Sequence, residues 1–421
     1  MKHELSIMKQ IWLWGAALIA SALLYGCSSD TDNDGGTPPP AHQEGYADPD
    51  GVILLNQGAR TSENSTISYL APDGTIEKDV YRTVNGSAFG NEAMDLDMCN
   101  GKIYIMSNNL FQPNSEAGDG CLVVVDAETF RREKVFTADD LVFPRPEGSL
   151  DKDEMLPLMT PLENIAVMDE HNIFFSDSQG LFRLDGTTGE LNIVKGSYAF
   201  GNQGATIETV IDTRGMAVIG DKLYCCGGGF WITPCLLEFS KGSNEVSRTL
   251  DLSHASDFSS GICQTGEHEI LVATCGRSGD KKSVLFFIDT RTMTITREKQ
   301  VNADISAEFM NTPGIALCGD YIYYAAGTLT VSRMSLKTWQ TEEYIHVKED
   351  APNANYLTCN VIADAKKNLL YVSVSNELGE SIVSDGNVLV YDCSSDEPRL
   401  VNNLVNPGSY PVNIYPVSRF Y

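Results

Sequence analysis

The sequence predicts an all-β fold, a seven-bladed β-propeller that the last strand of the chain closes. Three observations support this prediction: a short apolar strand recurs, a second strand follows it in step, and the two ends of the chain complement each other. The central residues of the recurring strands lie 47 to 52 residues apart, with one spacing of 70. A period near fifty residues is typical of repeat architectures. The recurring strands are residues 53–55, 103–105, 173–175, 223–225, 270–272, 322–324 and 370–372.

The residue types of each unit indicate antiparallel strands. Val, Ile, Tyr and Phe dominate the strands, and Gly, Asn and Asp fill the turns between them. The following strand often ends in Asp, and Ser240 and Ser335 replace this Asp in two units. Radial repetition hides the edges of such sheets, so we expect one blade per unit. The following strands with a terminal Asp are residues 69–73, 122–126, 181–185, 285–289 and 389–392.

The two ends of the chain predict closure of the ring. An inner strand precedes six of the seven turns, but nothing comparable precedes Ile53. Residues 412–416 have the character of the missing strand, so we expect them to complete the first blade. The alternative, an open solenoid, would leave that spare strand without a role. The six inner strands are residues 94–98, 162–168, 216–219, 261–263, 314–317 and 358–362.

The N-terminus predicts export and lipidation. Lys2 and Lys9 precede an apolar segment at 11–24, which is shorter than the length that a transmembrane helix usually needs. The segment ends in Leu24-Tyr25-Gly26-Cys27, which resembles a bacterial lipobox whose cysteine is acylated. We therefore expect a signal peptide at 1–26, a lipidated Cys27 with a linker at 27–48, and the propeller at 49–421. An ordinary signal peptide with a coincidental cysteine is the alternative.

The linker predicts a disordered tether on the cell surface. Residues 28–40 are rich in Asp, Gly and Pro and poor in apolar residues. The acidic stretch after Cys27 also resembles the export signal of Gram-negative surface lipoproteins, although a generic solvated linker has the same composition. We expect an outer-membrane protein, exposed at the surface and attached to the membrane through lipid alone.

Composition and motifs exclude several functions. The 57 acidic and 30 basic residues give a net charge of −27, so nucleic acid is a poor partner. The sequence has no nucleophile elbow, no phosphate-binding loop and no histidine cluster. We therefore predict no enzymatic activity, no cofactor and no metal, although acid pairs for catalysis stay open among so many carboxylates.

Ten cysteines follow Cys27, and most fall in predicted strands, where cysteine packs as a small apolar residue. We expect most of them to be free and buried, with Cys225 or Cys226 and Cys235 as the pair to test for a disulfide. The ten are Cys99, Cys121, Cys225, Cys226, Cys235, Cys263, Cys275, Cys318, Cys359 and Cys393.

Candidate ligand-binding residues follow from the register of the blades. In a propeller, the loops that enter the inner strands and the loops that leave the next strands converge on one face. These loops carry aromatic, amide and arginine side chains, which suit a large, partly polar ligand with rings. Phe230 and Trp231 are the strongest candidates because they are adjacent bulky residues on a loop beside three glycines. The alternative for any one aromatic is that it fills the gap between two blades.

The full set of candidates is Asn56, Gln57, Arg60, Phe89, Asn91, Glu92, Asn108, Phe111, Thr160, Glu163, Asp177, Phe200, Asn202, Arg214, Phe230, Trp231, Phe258, Arg277, Phe309, Asn311, Asn355, Tyr356, Asn376 and Tyr410.

The one spacing of 70 residues between recurring strands reflects an insertion at 138–161, with four prolines and an apolar tip. It either covers the ring face, docks onto a partner, or is a passive excursion.

Four segments resemble a known family. Residues 53–58, 85–87, 100–105 and 414–416 resemble YncE-like, surface-layer-type propeller lipoproteins of Gram-negative gut bacteria. Members of that group include surface proteins that capture cobalamin and pass it to a TonB-dependent outer-membrane transporter. The resemblance implies capture of a corrinoid or another bulky nutrient beside such a transporter. Two alternatives to this function stay open. One is a scaffold that binds a protein partner, and the other is a hydrolase or lyase. An enzyme of that kind would have convergent carboxylates with perturbed pKa values.

Overall fold

A computed structural model of the protein describes residues 45–58, 63–109, 117–229, 232–254, 257–276, 282–307, 312–376 and 386–421. Seven antiparallel sheets follow one another along the chain, one for each predicted unit. This arrangement confirms the prediction of an all-β, seven-bladed propeller. Helix is confined to α1 (Val80–Asn85), α2 (Val347–Asp350) and three single turns within the described residues. Neither α1 nor α2 has the length or the apolar content to traverse a bilayer.

Each blade starts with an inner strand, and each later strand pairs with the one before it. Blade 1 contains β33 (Pro411–Pro416), β1 (Val52–Asn56), β2 (Thr66–Leu70) and β3 (Ile76–Glu77). Blade 2 contains β4 (Ala93–Cys99), β5 (Lys102–Ser107), β6 (Leu122–Asp126) and β7 (Arg132–Phe136). Blade 3 contains β10 (Ile165–Asp169), β11 (Asn172–Asp177), β12 (Gly180–Leu184) and β13 (Leu191–Ile193). Blade 4 contains β16 (Thr213–Ile219), β17 (Lys222–Gly229), β18 (Ile232–Ser240) and β19 (Val246–Asp251).

The remaining three blades keep this order. Blade 5 contains β20 (Phe258–Gly266), β21 (Glu269–Cys275), β22 (Ser283–Asp289) and β23 (Thr294–Val301). Blade 6 contains β24 (Ala316–Cys318), β25 (Tyr321–Tyr324), β26 (Thr330–Ser335) and β27 (Thr341–His346). In blade 7 the inner strand is split into two short pieces, and the blade contains β28 (Tyr356–Leu357), β29 (Ile362–Asp364), β30 (Leu369–Ser375), β31 (Gly386–Asp392) and β32 (Arg399–Val405).

Two hairpins lie outside the blades. The insertion at 138–161 contains β8 (Val142–Pro144) paired with β9 (Met155–Pro157). A second hairpin, β14 (Tyr198–Gly201) with β15 (Thr206–Thr209), lies in the connection from blade 3 to blade 4. The sequence did not predict this second hairpin, because the spacing between those units stays at 50 and gives no sign of extra structure.

The strand that the sequence analysis describes as following each recurring strand is the third strand of its blade. The Asp at its end shapes the turn that comes after it. The Asp126 carboxylate accepts the Thr129 backbone N–H at 2.8 Å, and that of Asp289 accepts the Arg291 backbone N–H at 2.8 Å. These hydrogen bonds satisfy backbone N–H groups of the turn, which have no partner in a neighbouring strand. Ser335 substitutes for Asp in this role, since its hydroxyl accepts two turn N–H groups at 3.3 Å. Ser240 does not, because its hydroxyl instead bonds to Lys222 and Ser247.

The core consists of apolar layers between neighbouring blades. Side chains alternate across a strand, so each blade sends one set of residues to each neighbour. In β1, Ile53 and Leu55 pack with strands of blade 2, whereas Leu54 packs with blade 7. All three are fully buried, and burial of each such side chain stabilises the fold by about 2 kcal/mol. This alternation explains why the repeated strands are apolar on both faces.

The C-terminal strand closes the ring as predicted. β33 pairs antiparallel with β1, with Tyr415 opposite Ile53. The Tyr415 hydroxyl donates to Asp95 Oδ1 at 2.5 Å in blade 2 and accepts the Leu96 backbone N–H at 3.0 Å. Asp95 Oδ2 accepts the Ile165 backbone N–H at 3.0 Å in blade 3. One buried carboxyl group therefore joins the inner strands of three blades.

Replacing Tyr415 by Phe should destabilise the protein by about 2 kcal/mol, because Asp95 would stay buried and lose a hydroxyl donor. Urea denaturation of the full chain, monitored by tryptophan fluorescence, measures this loss. Tyr391→Phe is the matched control: this tyrosine is equally buried, but its hydroxyl donates to the exposed carboxylate of Asp350, which water can solvate instead. The control should cost about 0.5 kcal/mol. Equal losses in the two variants would contradict the special role of Asp95.

Candidate functional site

The candidate site lies on the top face, which is the end of the ring where the inner strands begin and the second strands end. The predicted ligand-binding residues that the structure describes belong to loops or strand ends of this face. The predicted lipidation site and seven of the ligand-binding candidates lie outside the described residues. These eight residues are Cys27, Arg60, Phe111, Phe230, Trp231, Arg277, Phe309 and Asn311.

Three predicted amides are buried, and the side chains of two of them, Asn56 and Asn108, connect strands of the ring. Asn56, Asn91 and Asn108 are at most 1 % exposed. The Asn56 side chain donates to Thr66 and Ser68 at 3.2 and 3.1 Å within blade 1. Asn108 Oδ1 accepts the Leu162 backbone N–H at 2.8 Å and so ties blade 2 to the start of blade 3. Asn56 and Asn108 therefore hold strands of the top face together, and all three amides are covered by the surrounding structure.

Two further candidates are buried as well. Phe89 is 1 % exposed, and its ring packs edge-on against Tyr81 at 5.5 Å between blades 1 and 2. It is one of the aromatics that fill a gap between blades. Glu92 is 8 % exposed, and its backbone carbonyl accepts the Asn108 N–H at 3.1 Å. Both residues therefore position the loop around them and are left out of the candidate surface.

Apart from Glu163 and Asp177, which are buried, the other described candidates reach solvent at least partly. Tyr356 and Tyr410 lie at the junction of blades 7 and 1, with ring centroids 6.4 Å apart. The Tyr410 carbonyl accepts the Gln57 backbone N–H at 2.9 Å, which fixes the loop. Burial raises the pKa of Tyr410 to about 12, so its hydroxyl stays a hydrogen-bond donor at neutral pH. The accessible set is Gln57, Thr160, Phe200, Asn202, Arg214, Phe258, Asn355, Tyr356, Asn376 and Tyr410.

A carboxyl cluster, formed by Glu163, Asp177 and Asp212 beside Arg214, lies where blades 3 and 4 meet. Burial raises the pKa of Glu163 to about 7, and the nearby Asp212 charge adds to the effect while Arg214 opposes it. Arg214 donates to Asp212 at 3.0 Å, and its other terminal nitrogen, Nη1, is buried and makes no hydrogen bond within the described structure. Glu163 is therefore the top-face carboxyl group that exchanges its proton near neutral pH.

Asp177 in this cluster serves the backbone. Its carboxylate accepts the backbone N–H groups of Met159, Gln179 and Gly180 at 2.7, 2.6 and 3.3 Å. Burial nevertheless raises its pKa to about 6. The bond to Met159 ties the end of the insertion to blade 3. Convergent carboxyl groups with raised pKa values are what the hydrolase or lyase alternative predicts, but at Asp177 the donors already define a structural task.

A cavity of about 490 Å³ lies along blade 6 on the side of blade 5, from Ala325 in the top-face turn to Thr341 at the bottom-face start of β27. Its walls come from the connection before β24, from the turn between β25 and β26, and from strands of blade 6. Hydroxyl, amide and carboxylate groups dominate these walls, and none of the lining residues is cationic. Such walls suit a neutral ligand rich in hydrogen-bonding groups. Its polar lining includes Asn302, Asp304, Tyr324, Thr328, Thr330, Ser332, Thr341 and Glu343.

The sequence prediction missed these cavity residues. Tyr324, Thr330 and Ser332 lie in or at the ends of strands that look like ordinary alternating strands, and alternation gives no sign of a concave surface. Of the cavity residues, only Asn302 and Asp304 lie near predicted ligand-binding residues in the sequence, because they precede Phe309 and Asn311 in the same connection.

A second cavity of about 420 Å³ lies on the opposite, bottom face between blades 4 and 5. Lys222, Arg248, His268 and Arg291 line it. Its cations already have anionic partners, since Arg248 donates through two nitrogens to buried Glu238 and Arg291 donates to Asp289 at 2.6 Å. The basic residues here stabilise the blade edges.

The described residues contain no group of three His, Cys, Asp or Glu side chains arranged to hold a metal. All ten cysteines after Cys27 are described as thiols, and eight of them are buried. In the register of β17 and β18, Cys225 lies opposite Leu237 and Gly227 opposite Cys235. Of the two pairings singled out from the sequence, Cys225 with Cys235 is therefore offset by two residues, and Cys226 with Cys235 is offset by one, which puts their side chains on opposite faces of the sheet.

Replacing Glu163 by Gln should stabilise the protein at high pH and leave it unchanged at low pH. The folded pKa of about 7 lies above the ordinary value, so the folded state binds this proton more tightly than the unfolded chain does. The stabilisation from the proton is full below about pH 4 and is lost as pH rises through about 7. The variant should gain about 3 kcal/mol over the native chain at pH 8, measured by urea denaturation from pH 4 to 8.

The control for this measurement is Glu267→Gln, since the Glu267 side chain is 89 % exposed. Its stability difference from the native chain should stay flat over the same pH range. A flat difference for Glu163→Gln as well would show that folding does not raise the pKa of Glu163.

Comparison with known proteins identifies similar structures and a matching family. Comparison with curated proteins gives no match. Among solved structures, dihydro-heme d1 dehydrogenase NirN in complex with DHE is 12 % identical with a TM-score of 0.49, and the match covers 91 % of this chain and 78 % of that chain. BamB from Moraxella catarrhalis is 12 % identical with a TM-score of 0.42, covering 85 % of this chain and 83 % of that chain. A family model described as a domain of unknown function, DUF5074, matches residues 50–411. Because this match spans nearly all of the propeller, the chain belongs to the DUF5074 family.

Proposed function

We propose that this protein is a lipid-anchored outer-membrane propeller that binds a bulky, polar nutrient on its top face and passes it to a TonB-dependent transporter. A corrinoid such as cobalamin is the ligand to test first, because the sequence resembles propeller lipoproteins that include cobalamin-capturing members. The protein acts by binding and not by catalysis.

The observation that carries this proposal is the 490 Å³ cavity between blades 5 and 6. Its connection before β24 continues directly into the segment that holds the predicted ligand-binding residues Phe309 and Asn311. Cavities of this size with a few convergent polar groups are typical small-molecule sites. A large ligand can extend from this cavity over the top face, while a smaller one fits within it.

The chemistry of the top face favours a neutral or cationic ligand with many hydrogen-bonding groups. The chain carries a net charge of −27, which repels anions over long range. Tyr356 and Tyr410 offer ring surface and hydroxyl donors at the junction of blades 7 and 1. Arg214 adds one cation, but Asp212 already accepts from it at 3.0 Å. A corrinoid, with its ring and its amide side chains, meets these requirements.

Calorimetric titration of the full chain with cyanocobalamin and with a corrinoid precursor should give micromolar or tighter binding. Trp231→Ala and Tyr356→Ala should each weaken binding about tenfold, because each removes stacking area at the predicted surface. Trp339→Ala is the matched control. Trp339 lies in the turn between β26 and β27 on the bottom face, so its loss should leave the affinity unchanged.

Absence of heat with both corrinoids would contradict the corrinoid assignment while leaving binding of another nutrient open to titration. Equal weakening by Trp231→Ala and Trp339→Ala would place the ligand away from the top face. Binding unaffected by any of the three substitutions would also move the site off the proposed surface.

A second candidate function is that of a protein-interaction scaffold, favoured by an exposed apolar surface on the two extra hairpins. This hairpin surface comprises Leu150, Met155, Met159 and Phe200, which are 67, 47, 51 and 37 % exposed. The two hairpins contact each other, since the Leu150 backbone N–H donates to the Gly204 carbonyl at 2.8 Å. Clusters of exposed apolar side chains on a soluble domain are typical of interaction sites.

The insertion is built to hold this surface in place. Phe143 is fully buried against Phe182 of blade 3 at 5.0 Å between ring centroids. Gln179 Nε2 donates to the Pro157 carbonyl at 3.1 Å. An anchored, outward-facing apolar surface suits docking, either onto the proposed transporter or onto another protein.

A photo-crosslinking residue at position 150 of the full chain, expressed in its host, should give one discrete adduct. The physical reason is that a docked partner would cover the Leu150 side chain. The same residue at position 267 is the control, because Glu267 is exposed on the bottom face. An adduct with a TonB-dependent transporter fits the first function, and an adduct with a different protein fits the scaffold. Equal patterns at both positions would contradict docking through the hairpin surface.

A further inference from the structure

Two thiols from neighbouring blades lie next to each other near the bottom face. Cys318 is the last residue of β24 in blade 6, and Cys393 directly follows β31 in blade 7. Their sulfur atoms are 3.6 Å apart, which is van der Waals contact for two sulfurs. Both side chains are buried, at 4 and 9 % exposure, in the apolar layer between the two blades.

The turn before β30 holds both thiols in register. The Cys393 thiol donates to the Asn368 carbonyl at 3.1 Å, and the Cys318 thiol lies 3.7 Å from Asn368 Oδ1. Asn368 has a positive φ of 53°, a conformation that Asn tolerates better than most residues. The Cys393 backbone N–H donates to the same carbonyl at 2.8 Å. One asparagine thus positions the two sulfur atoms from two different blades.

We propose that Cys318 and Cys393 are the site of a disulfide that links blade 6 to blade 7. The sulfurs must approach from 3.6 Å to about 2.05 Å, a change that small side-chain rotations supply in a site already in contact. The bond would close a loop that runs from residue 318 to residue 393. It would add a covalent link to a ring that hydrogen bonds and apolar layers otherwise close.

The bond forms by thiol–disulfide exchange with a small-molecule or protein disulfide as the oxidant. One cysteine thiolate attacks a sulfur of the donor disulfide, which forms a mixed disulfide and releases one donor thiolate. The second cysteine thiolate then attacks the mixed disulfide and releases the other donor thiolate. The two cysteine protons end on the two released thiols, so the cysteines are oxidised and the donor disulfide is reduced.

Cys393 is the thiol suited to the first attack. It is the more exposed of the two, and its hydrogen bond with Cys318 lowers the pKa of Cys393. The same interaction, followed by burial, raises the pKa of Cys318. The pair thus resembles other reactive dithiols, in which one thiol stabilises the thiolate of its neighbour.

The two pairings singled out from the sequence fit a disulfide less well. Cys226 and Cys235 lie on opposite faces of the sheet. Cys225 and Cys235 are diagonal neighbours across β17 and β18, and such positions have Cα atoms about 7–8 Å apart. Disulfides need Cα atoms within about 4.4–6.8 Å. Cys225 instead places its thiol 3.8 Å from the Thr213 hydroxyl. The register of the strands therefore separates the thiols that the sequence brings close.

Peptide mapping of the purified full chain after incubation with oxidised glutathione tests the proposal. We expect one linked pair of peptides that contain residues 318 and 393, with a mass two hydrogens below their sum. Reduction should separate the pair and lower the Tm by about 5 °C, because the cross-link restricts the unfolded chain. In Cys318→Ser and Cys393→Ser, both the link and the effect of reductant on Tm should disappear.

Cys359→Ser is the control, since Cys359 is buried in blade 7 and should leave the link and the Tm shift unchanged. Alkylation of both residue 318 and residue 393 in the oxidised native chain would overturn the proposal, as would a link from either one to another cysteine. The map of the native chain decides the question even where a serine variant fails to fold.

Discussion

The ring depends on one buried carboxyl group, that of Asp95. The C-terminal strand β33 closes the ring by pairing with β1 in blade 1, and its Tyr415 hydroxyl joins it to β4 of blade 2 through Asp95. The other oxygen of Asp95 reaches the Ile165 backbone N–H, so blades 1, 2 and 3 share one group. Burial raises the pKa of Asp95 to about 6, which measures how unfavourable its charge is there. The donors around it offset that cost only while all three inner strands stay in place, and this makes closure cooperative.

The same use of polar groups for closure decides what the top face can offer a ligand. Asn56, Asn108 and Asp177 carry the chemistry expected of a binding site, but their hydrogen bonds are made within or between blades. Polar groups that reach open surface lie elsewhere. They lie in the cavity between blades 5 and 6 and around the tyrosines at the junction of blades 7 and 1. The hairpin surface adds apolar contact area, because its hairpins lie outside the blades.

Much of the fold could be predicted from the sequence, because the signals that define it are periodic. A strand with both faces apolar, such as 53–55, recurs near every fifty residues and must pack between two neighbours. The spare strand at 412–416 then fixes closure. The candidate site could be predicted only as far as its face. Whether an amide such as Asn56 lines a ligand or joins two strands depends on the partners that folding brings to it, and the residue type does not contain this information. The hairpin β14–β15 left no signal because it did not change the spacing of the units.

The carboxyl groups of this acidic chain fall into two classes that act on stability in opposite directions. Asp95, Glu163 and Asp177 are buried and Asp97 is partly buried, and this loss of solvation raises their pKa values. Their contribution to stability is therefore full at low pH and is lost as pH rises through about 6 to 7. Asp126 and Asp392 hold turns, and hydrogen bonds lower their pKa values. Their contribution is present above their unfolded pKa values near 4 and is lost as pH falls. The two classes together place the greatest stability of the ring between about pH 4 and 6, where the turn carboxylates are charged and the buried carboxyl groups still hold their protons.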